Sequence, residues 1–386
     1  MNKHQAHDLA QMQSLPLEVK IRMTKERIKA WYESWTRFEI HDQKTGKTRF
    51  VTIDTRDHLA EPDMKDSEYI VSAFPGAVYV SFSGGKDSTV LKHIVDSMYD
   101  DVPALFVNTG LEYPEIQKFA MLQKNVVTVH PEMRFDEVIR KYGYPVISKE
   151  VAQTIFEARK NKETGKYTYR IKKLNGVCVD KNGNPSSYNI PQWKFMLDAP
   201  YSVSDKCCDV MKKKPSKQFE KQTGRVPILG TLASESRLRY SKWLRSGCNA
   251  FDSHRPTSQP MSFWTEQDVL QYIKKYNVPY CSVYGDIIPT DGTEENEDQI
   301  TTFDILGEYE GTTLKTTGCD RTGCIFCMFG CHLEKEPNRF QRLKETHPRQ
   351  YEYCIGGGEM VDGKWQPSKE GLGLGKVLDY IGVKYD

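Results

Sequence analysis

The amino-acid sequence predicts an α/β fold in which helices cover both faces of a parallel sheet. The main observation is a regular alternation of apolar strand-like runs and helical patterns after residue 77. Three strand–helix units follow one another: Val78–Phe82 with a helix from Asp87 to Met98, Ala104–Asn108 with a helix from Pro114 to Gln123, and Val126–His130 with the helix Phe135–Tyr142. This spacing is typical of parallel strands joined by right-handed crossovers.

Local signals support the individual elements. Val90, Leu91 and Ile94 share one face of the first predicted helix, which indicates the side that packs on the sheet. The run Val226–Gly230 predicts a later strand of the same sheet. Thr265 has the position of a helix cap, so the segment that follows it is expected to be structural.

The segments outside this alternation are less regular. Residues 16–38 have an apolar face with helical spacing that includes Trp31 and Trp35, and a polar, hairpin-like stretch follows to about residue 66. Residues 160–200 are rich in Gly, Pro, Asn and Lys, which indicates a partly irregular insertion. The sequence therefore predicts three parts: a helical and irregular N-terminal extension (1–66), an α/β domain that contains the insertion (67–305), and a small Cys-rich C-terminal module (306–386).

Composition limits the class of protein. The chain has 386 residues, of which 38% are hydrophobic and 11% aromatic, enough for a large core with an appended module. The first residues lack the apolar run of a signal peptide, and no apolar stretch is long enough to span a membrane. Five of the ten cysteines lie between Cys319 and Cys354, which fits the reducing cytoplasm better than a disulfide framework. Composition gives no indication of the oligomeric state.

Positive charge is concentrated in two segments, although the net charge is only +2. Residues 159–173 contain seven Lys and Arg against one Glu, and a second basic cluster extends from Lys206 to Arg225. Solvated loops are the usual explanation for such runs, and phosphate groups or a nucleic acid are the alternative partners.

The connection between the first predicted strand and its helix has the composition of an anion site. Ser83-Gly84-Gly85 predicts a tight turn whose N–H groups lie at a helix N-terminus, where the helix dipole favours negative charge. Lys86 adds a positive charge, and Ser83 and Ser88 add hydroxyl donors. A Gly-rich turn with a capping Ser and no ligand is the alternative. We interpret the pattern as a pocket for a polyphosphate.

Two further segments are expected near this loop, because ligands of parallel sheets bind at the carboxyl ends of the strands. The second strand ends at Asn108-Thr109-Gly110, which would contact the nucleoside of a nucleotide. Arg237 follows the turn after the Val226–Gly230 strand, where it would bind a phosphate or sulfate. A surface salt bridge is the alternative for Arg237.

The cysteines are the second chemical signal. They include a dense cluster, Cys319, Cys324, Cys327 and Cys331, and an upstream pair, Cys207-Cys208. Four thiolates suit zinc or a [4Fe–4S] cluster, and spacing alone does not choose between them. Buried free thiols are the alternative explanation, and they account poorly for so dense a cluster.

The loop Ser83–Ser88 matches the pattern Ser-Gly-Gly-x-Asp-Ser and resembles the PP-loop of ATP pyrophosphatases, which cleave ATP between the α- and β-phosphates. The chain resembles the phosphoadenosine phosphosulfate (PAPS) reductase family in the order of five motifs. These are this loop, Asn-Thr-Gly-Leu-Glu-Tyr-Pro-Glu from Asn108, Lys206-Cys-Cys, Trp264-Thr-Glu and the Cys-x-x-Cys. The resemblance covers about residues 75–355. It implies an adenine nucleotide alpha hydrolase-like (PP-loop, Rossmann-like) fold and a nucleotide-binding role for residues 67–305.

In the iron–sulfur branch of that family, a Cys-Cys pair and a distant Cys-x-x-Cys together hold a [4Fe–4S] cluster. The resemblance therefore implies four ligands here: Cys207, Cys208, Cys324 and Cys327. Zinc is the weaker alternative metal. The rival ligand set is the compact one: Cys319, Cys324, Cys327 and Cys331.

Two departures favour ATP-consuming relatives. Lys86 and Asp87 complete the PP-loop, whereas sulfonucleotide reductases generally lack the full motif because their substrate arrives activated. The Glu-Cys-Gly segment that carries the nucleophile of those reductases is matched poorly by Tyr353-Cys354-Ile355-Gly356. The chain is in this respect similar to the sulfurtransferases of DNA phosphorothioation and to tRNA-thiolating enzymes, which combine a PP-loop with an iron–sulfur centre.

The resulting hypothesis is an enzyme that binds ATP and Mg²⁺, adenylylates a substrate and supports sulfur transfer. The Ser83–Ser88 loop would hold the β- and γ-phosphates, Lys86 would neutralise the leaving pyrophosphate, and Mg²⁺ would lie near Asp87. Cys354 is the candidate sulfur-carrying thiol. The expected partners are an adenine nucleotide and a nucleic-acid acceptor or sulfur-donor protein. The alternatives are a reductase that releases sulfite from a sulfonucleotide, and a non-catalytic nucleotide- and cluster-binding component of a nucleic-acid modification complex.

Overall fold

The structure is a computed structural model that describes residues 3–57, 69–290 and 313–386. Residues 58–66 of the hairpin-like stretch and 306–312 of the C-terminal module lie outside the described residues. Within the described ranges the helices are, in chain order, α1 (Ala6–Gln13), α2 (Leu17–Glu33), α3 (Lys86–Asp96), α4 (Pro114–Leu122), α5 (Phe135–Tyr142), α6 (Lys149–Glu163), α7 (Tyr169–Leu174), α8 (Lys214–Thr223), α9 (Arg237–Ser246), α10 (Glu266–Lys275), α11 (Arg339–Thr346), α12 (Pro348–Ile355) and α13 (Leu374–Tyr380).

The strands alternate with these helices through the middle of the chain. In the same ranges they are β1 (Trp35–Asp42), β2 (Thr48–Asp54), β3 (Tyr69–Pro75), β4 (Val78–Phe82), β5 (Ala104–Val107), β6 (Val126–Val129), β7 (Val146–Ile147), β8 (Val226–Leu229), β9 (Asn249–Ala250), β10 (Thr257–Ser258), β11 (Ile287–Pro289), β12 (Leu314–Thr316), β13 (Met328–Phe329), β14 (Glu359–Val361) and β15 (Lys364–Gln366).

These elements form two compact units that are interleaved along the sequence. The first contains the described residues up to Asn108, Tyr113–Val129 and the described part of Ser216–Thr322. The second contains Thr109–Glu112, His130–Pro215 and Gly323–Asp386. The division of the chain at residues 66 and 305 stays a prediction.

A six-stranded sheet forms the centre of the first unit and confirms the predicted α/β class. Its strand order is β6-β5-β4-β8-β10-β9, and every neighbouring pair is parallel except β10 and β9. The chain moves from β4 outward to β5 and β6, and then returns to place β8 on the other side of β4. The carboxyl end of β4 therefore lies at the switch point of the sheet, where α/β proteins bind their ligands.

The apolar face predicted for the first helix of the sheet is confirmed. Val90, Leu91 and Ile94 in α3 are fully buried and belong to the same core as Val78 and Val80 of β4. β-branched and aliphatic side chains of a parallel strand are buried on both faces, so the helix completes one side of this core.

The helix predicted over residues 16–38 is confirmed as far as Glu33 and is wrong in its last five residues. α2 ends at Glu33, and Trp35 begins β1, which pairs with β2 as an antiparallel hairpin. Phe38 and Ile40 are buried while Glu39 between them is half-buried, a two-residue period that belongs to a strand. β3 pairs with the other side of β1 and completes a three-stranded antiparallel sheet that was not predicted.

The second unit contains the insertion predicted at residues 160–200. α6 extends into it as far as Glu163, α7 follows, and 3₁₀ turns cover Pro191–Asp198. Arg159 fastens this segment, because its guanidinium donates hydrogen bonds of 2.6–3.2 Å to the carbonyls of Met196, Leu197, Ala199 and Tyr201. A charged donor group with this many backbone acceptors holds an otherwise irregular segment in one conformation.

The Gly-rich tail also belongs to the second unit. β14 and β15 form a two-stranded antiparallel ribbon, and α13 follows it. Trp365 donates its indole N–H to the carbonyl of Gly373 at 2.9 Å, and the Tyr144 hydroxyl donates to the carbonyl of Leu372 at 2.8 Å. Among the described residues, no helix combines the length and the apolar character needed to cross a bilayer.

A buried ion pair connects α2 with α10 in the first unit. The Lys20 ammonium lies 2.7 and 2.8 Å from the two carboxylate oxygens of Asp268, and both side chains are less than a tenth exposed. Asp268 also caps α10, since its carboxylate accepts hydrogen bonds from the N–H and hydroxyl of Thr265.

We expect Lys20→Met to lower the free energy of unfolding by about 3–5 kcal/mol, because it leaves the Asp268 carboxylate buried without its cation. The matched control is Lys29→Met on the same helix, whose ammonium is exposed and lies 4.0 Å from Glu33. That variant should stay within about 0.5 kcal/mol of wild type. Urea denaturation at pH 7 measures both, and equal effects would contradict the importance of the buried pair.

Candidate functional site

The Ser83–Ser88 loop joins β4 to α3, as the sequence predicts. Gly84 has a φ of +72°, a conformation that side chains disfavour, and a Cβ at this position would lie 2.9 Å from Ile116 Cγ2. Gly85 is the N-cap of α3. Glycine at Gly84 therefore allows both the sharp turn and the close approach of α4.

Hydroxyl groups hold the turn from inside. Ser88 Oγ donates to the carbonyl of Gly85 at 2.9 Å and accepts the N–H of Ser83 at 3.2 Å. Ser83 Oγ lies 3.1 Å from Ser88 Oγ and accepts the N–H of Gly85 at 3.4 Å. The serines predicted to bind an anion are thus positioned by the loop itself, and Ser83 is exposed to solvent.

Gly230 brings the end of β8 against the beginning of α3. A Cβ at Gly230 would lie 2.9 Å from the carbonyl oxygen of Asp87. Contacts this short are tolerated only without a side chain, so Gly230 allows the two neighbouring strand ends to meet at the loop.

Lys86 is buried and paired. Its ammonium lies 2.5 Å from Glu266 Oε1, donates to the carbonyl of Asp320 and lies 5.3 Å from the centre of the Tyr284 ring. The main-chain N–H of Lys86 donates to the Tyr284 hydroxyl at 3.2 Å, and that hydroxyl lies 2.6 Å from Thr322 Oγ1. Glu266, Tyr284 and Thr322 were not predicted as site residues; only Glu266 belongs to a quoted motif, the Trp264-Thr-Glu segment.

Asp87 has an unusual environment beside this lysine. Its Oδ1 is buried and has no hydrogen-bond partner. Burial raises the pKa of the Asp87 carboxyl, although the positive charges of Lys86, Arg321 and Arg239 oppose the shift. A carboxylate oxygen without a donor, surrounded by three cations, fits a bound divalent cation and a polyanion.

The two arginines near Asp87 are the main addition to the predicted site. Burial lowers the pKa of Arg239, which is half-buried on α9, and Arg239 also pairs with Glu235. Arg321 lies 3.8 Å from the same glutamate. Arg237, the arginine predicted to bind a phosphate or sulfate, is exposed at the first position of α9. Ser236 is the N-cap of α9, because its hydroxyl accepts the N–H of Arg239. This cap sets where the helix begins and therefore which arginine lies beside Asp87, and a capping serine can be recognised in the sequence.

The segment predicted to contact a nucleoside is divided between the units. Asn108 belongs to the first unit, where its N–H donates to the carbonyl of Val129 at 2.9 Å. Thr109 and Gly110 belong to the second, where the Thr109 N–H and hydroxyl donate to the Glu112 carboxylate at 3.1 and 2.7 Å. Their role in binding stays a prediction.

The four predicted metal ligands all lie in the second unit. Cys207 Sγ lies 3.9 Å from Cys208 Sγ. Cys207 is electrostatically coupled to Cys324 and Cys327, and Cys324 to Cys208. Among the described residues, no three His, Cys, Asp or Glu side chains converge closely enough to hold a single metal ion. The four-cysteine ligand set, and the choice between zinc and a [4Fe–4S] cluster, therefore stay predictions.

Two lysines supply positive charge to these thiols. The hydrogen bond from Cys207 and the charges of Lys149 and Lys212 lower the pKa of Cys208 to about 6, while sharing this hydrogen bond raises the pKa of Cys207. Burial lowers the pKa of Lys212, but the negative charges of Cys324 and Glu112 outweigh the effect of burial and raise that pKa to about 12. Burial raises the pKa of Cys324 to about 11. Of the four thiols, only Cys208 is therefore favoured as a thiolate, and the two ammonium groups oppose the effect of burial on Cys324.

The backbone around the thiols is irregular in two places. A π-helical turn, Asp209–Lys213, follows the Cys207-Cys208 pair directly. Ile147, at the end of β7, has a φ of +62°, which is rare for a β-branched residue, and it precedes the turn that leads to Lys149. Both features are concentrated at functional sites in proteins, and neither has a signal in the sequence.

The remaining candidate cysteines have different surroundings. Cys319, a member of the rival ligand set, belongs to the first unit, where it contributes to the raised pKa of Cys281. Cys331 is buried and donates its S–H to the carbonyl of Met328. Cys354 is fully buried in α12, and burial raises its pKa well above the ordinary value. A nucleophilic role for Cys354 stays a prediction, in surroundings that disfavour its thiolate.

Comparison with known proteins places this site in a family. Residues 77–328, more than half of the chain, match the family model of the phosphoadenosine phosphosulfate reductase domain. The match contains the Ser83–Ser88 loop and all four predicted cysteine ligands. It confirms the resemblance inferred from the motifs.

Individual relatives are more distant. An uncharacterized protein of Methanocaldococcus jannaschii is 30% identical over 104 residues, which cover 26% of this chain and only 25% of the length of that protein. A crystal structure of phosphoadenylyl-sulfate (PAPS) reductase from Candida auris, in complex with phosphate, shares 16% identity at a TM-score of 0.30. That match covers 54% of this chain and 76% of the other. Neither similarity identifies the activity of the present chain.

The positions of Arg239 and Arg237 lead to a matched test. We expect Arg239→Ala to weaken the binding of MgATP by roughly 10- to 100-fold, because a half-buried guanidinium beside Asp87 is lost. Arg237→Ala should change binding less than about twofold, since an exposed charge contributes little. Titration calorimetry compares the two variants. A larger loss in Arg237→Ala would restore the assignment based on the sequence.

The raised pKa of Asp87 predicts a stability gain with a defined pH dependence. A carboxyl with a raised pKa in the folded protein favours folding only when protonated, and this contribution disappears as the pH rises through that pKa. Without Mg²⁺ and nucleotide, Asp87→Asn should therefore raise the free energy of unfolding at pH 7 by on the order of 1 kcal/mol. The difference should shrink as the pH falls through the raised pKa of Asp87, and the change should be complete below the ordinary Asp pKa of about 3.9. Denaturation from pH 3 to pH 8 in EDTA measures it, and a destabilised variant at pH 7 would contradict it.

Proposed function

Because the chain belongs to the phosphoadenosine phosphosulfate reductase family, we propose that it is an enzyme that adenylylates a substrate with ATP and supports sulfur transfer. The observation that carries the proposal is the complete Ser83–Ser88 loop, in which Lys86 is buried and Asp87 Oδ1 has no hydrogen-bond partner. A substrate that is already adenylylated needs no group to neutralise a departing pyrophosphate, whereas ATP does.

The residues around the loop suit the first step of this reaction. An oxygen of the acceptor attacks the α-phosphorus of ATP, the bond between the α- and β-phosphates breaks, and pyrophosphate leaves. Lys86, Arg239 and Arg321 would compensate the charge that accumulates on pyrophosphate, and loop N–H groups would orient its oxygens. Asp87 would hold Mg²⁺, which supplies further charge neutralisation when bound.

The second step requires a sulfur nucleophile. Sulfur attacks the activated atom of the acceptor, the bond to the adenylyl oxygen breaks, and AMP leaves. Four cysteines would hold a [4Fe–4S] cluster, which when bound would supply a centre that positions sulfur: Cys207, Cys208, Cys324 and Cys327. Lys149 and Lys212 would balance the negative charge of the four thiolates. The sulfur itself comes from sulfide or from a donor protein.

The family itself favours a second candidate, the reduction of a sulfonucleotide to sulfite. That reaction requires an accessible thiolate that attacks the sulfur atom. Cys354, the nearest match to the nucleophile of those reductases, is fully buried. A role as a nucleotide- and cluster-binding component without turnover is the third candidate, and it is distinguished by the same experiment.

The first experiment measures metal content and product together. The protein is purified without oxygen, assayed for iron and sulfide, and incubated separately with MgATP, adenylylsulfate and PAPS. We expect iron and sulfide in equal amounts, pyrophosphate release from ATP in the presence of an acceptor, and no sulfite. Lys86→Met should lower the rate of pyrophosphate release at least about 100-fold. Lys29→Met is the matched control with full activity.

Two outcomes would overturn the proposal. Sulfite release with a thiol reductant, independent of ATP, would establish the reductase. Bound nucleotide and iron without pyrophosphate release, for every acceptor and with a sulfide donor present, would establish the non-catalytic role.

The ligand set is tested with paired variants. Cys207→Ser and Cys324→Ser should each lose most of the iron and its visible absorption, while Cys319→Ser and Cys331→Ser should retain both. Loss of iron from all variants except Cys207→Ser would support the compact rival set. Stoichiometric zinc without iron would contradict the iron–sulfur assignment.

A further inference from the structure

A surface of the second unit combines exposed tyrosines with lysines. It lies on α7 and on the segments beside it, and we define it by five residues: Lys166, Tyr167, Tyr169, Lys172 and Tyr188. The three tyrosine side chains are 57–60% exposed, an unusual state for aromatic rings in this chain. The five residues belong to the insertion that neither the loop site nor the thiol site uses.

Distances to two ammonium groups of α7 describe where the three rings lie, and two of the rings share one of these groups. Lys172 Nζ lies 5.9 Å from the centre of the Tyr167 ring. Lys173 Nζ lies 6.0 Å from the Tyr169 ring and 5.8 Å from the Tyr188 ring. Lys173 itself is buried and paired with Glu150, so it supports the rings from below and is unavailable to a ligand. Tyr169 and Tyr188 thus lie beside one ammonium group and Tyr167 beside that of the adjacent lysine, and we call these three exposed rings the aromatic platform.

The charge around this platform is strongly positive. Residues 156–190 contain eight Lys and Arg against three Asp and Glu. Glu157 is paired with Arg170 at 3.1 Å, and Asp180 accepts the N–H groups of its own turn. Lys166 and Lys172 are exposed and form no ion pair among the described residues. Their charges therefore face solvent next to the rings.

We propose that this surface binds single-stranded nucleic acid, with phosphates on Lys166 and Lys172 and bases stacked on Tyr167, Tyr169 and Tyr188. Aromatic rings among lysines match the alternation of bases and phosphates along a strand. A duplex hides its base faces, so the platform favours unpaired bases. Binding at this surface requires no ATP and does not rest on the proposed chemistry, but it would deepen that proposal by naming a nucleic acid as the acceptor class.

The test measures fluorescence anisotropy of labelled 20-residue oligothymidylate and oligouridylate with the complete protein, without nucleotide. The two probes distinguish DNA from RNA, and binding of either supports the proposal. We expect Tyr167→Ala, Tyr169→Ala and Tyr188→Ala each to weaken binding roughly 5- to 100-fold, and the corresponding Phe variants to bind like wild type. Lys166→Gln and Lys172→Gln should each reduce the slope of log affinity against log salt by about 0.7.

The control removes the same charge from another basic segment. Lys217 and Lys221 are exposed on α8, and the double variant Lys217→Gln/Lys221→Gln should bind like wild type. Circular dichroism and thermal unfolding exclude misfolding of each variant. Equal binding by the Ala variants, an equal loss in the α8 control, or binding of phosphatidylserine vesicles with no binding of either oligonucleotide would each overturn the proposal. Pyrophosphate release by the wild-type protein is measured separately, so the failure of either proposal is recognised without the other.

Discussion

The short connection from β4 to α3 constrains the site around the Ser83–Ser88 loop. Four elements, β4, α3, α4 and β8, must meet there at distances that leave no room for side chains. Gly84 allows α4 to approach the loop, and Gly230 allows the end of β8 to approach α3. A Cβ atom at Gly84 would lie 2.9 Å from Ile116 Cγ2, and one at Gly230 would lie 2.9 Å from the carbonyl oxygen of Asp87. With the backbone so close, Lys86 and Asp87 begin α3 in a region that water reaches poorly. Their charges are consequently governed by a few fixed neighbours, above all Glu266 and Arg239, and much less by solvent.

The sequence predicts those features of the molecule that depend on local patterns. The strand–turn–helix unit around Ser83–Ser88 and the buried face of α3 follow from hydrophobic periodicity and glycine placement, and the structure contains both. Trp35 was assigned to a helix because a tryptophan four residues after Trp31 fits a helical face equally well. Trp35 belongs to a strand because β1 pairs with β2 and β3. Pairing between strands cannot be recognised from the pattern of a short sequence segment.

The residues around the sites were harder to predict, because they come from distant parts of the chain. The charges of Arg239, Arg321 and Glu266 act on Asp87 from separate parts of the chain. The charge of Lys149 acts on Cys208 from the start of α6, two residues after Ile147, whose backbone has a positive φ. The four cysteines, in contrast, were chosen through a family resemblance, and the structure places them in one unit with mutual electrostatic influence. Sequence motifs thus selected the candidate groups, while tertiary structure was needed to find the charges that act on them.

The pairing of Lys86 with Glu266 has a consequence for selectivity. Glu266 acts as an internal competitor, because any anion that uses the lysine must first displace a carboxylate 2.5 Å away. A ligand with a single negative charge gains little from this exchange, whereas a polyphosphate brings several charges and can also engage the arginines. The apparent affinity of every anion falls in proportion to the population of the open lysine. The Lys86–Glu266 pair would therefore select against anions of low charge and in favour of a polyphosphate, if this loop binds one as proposed.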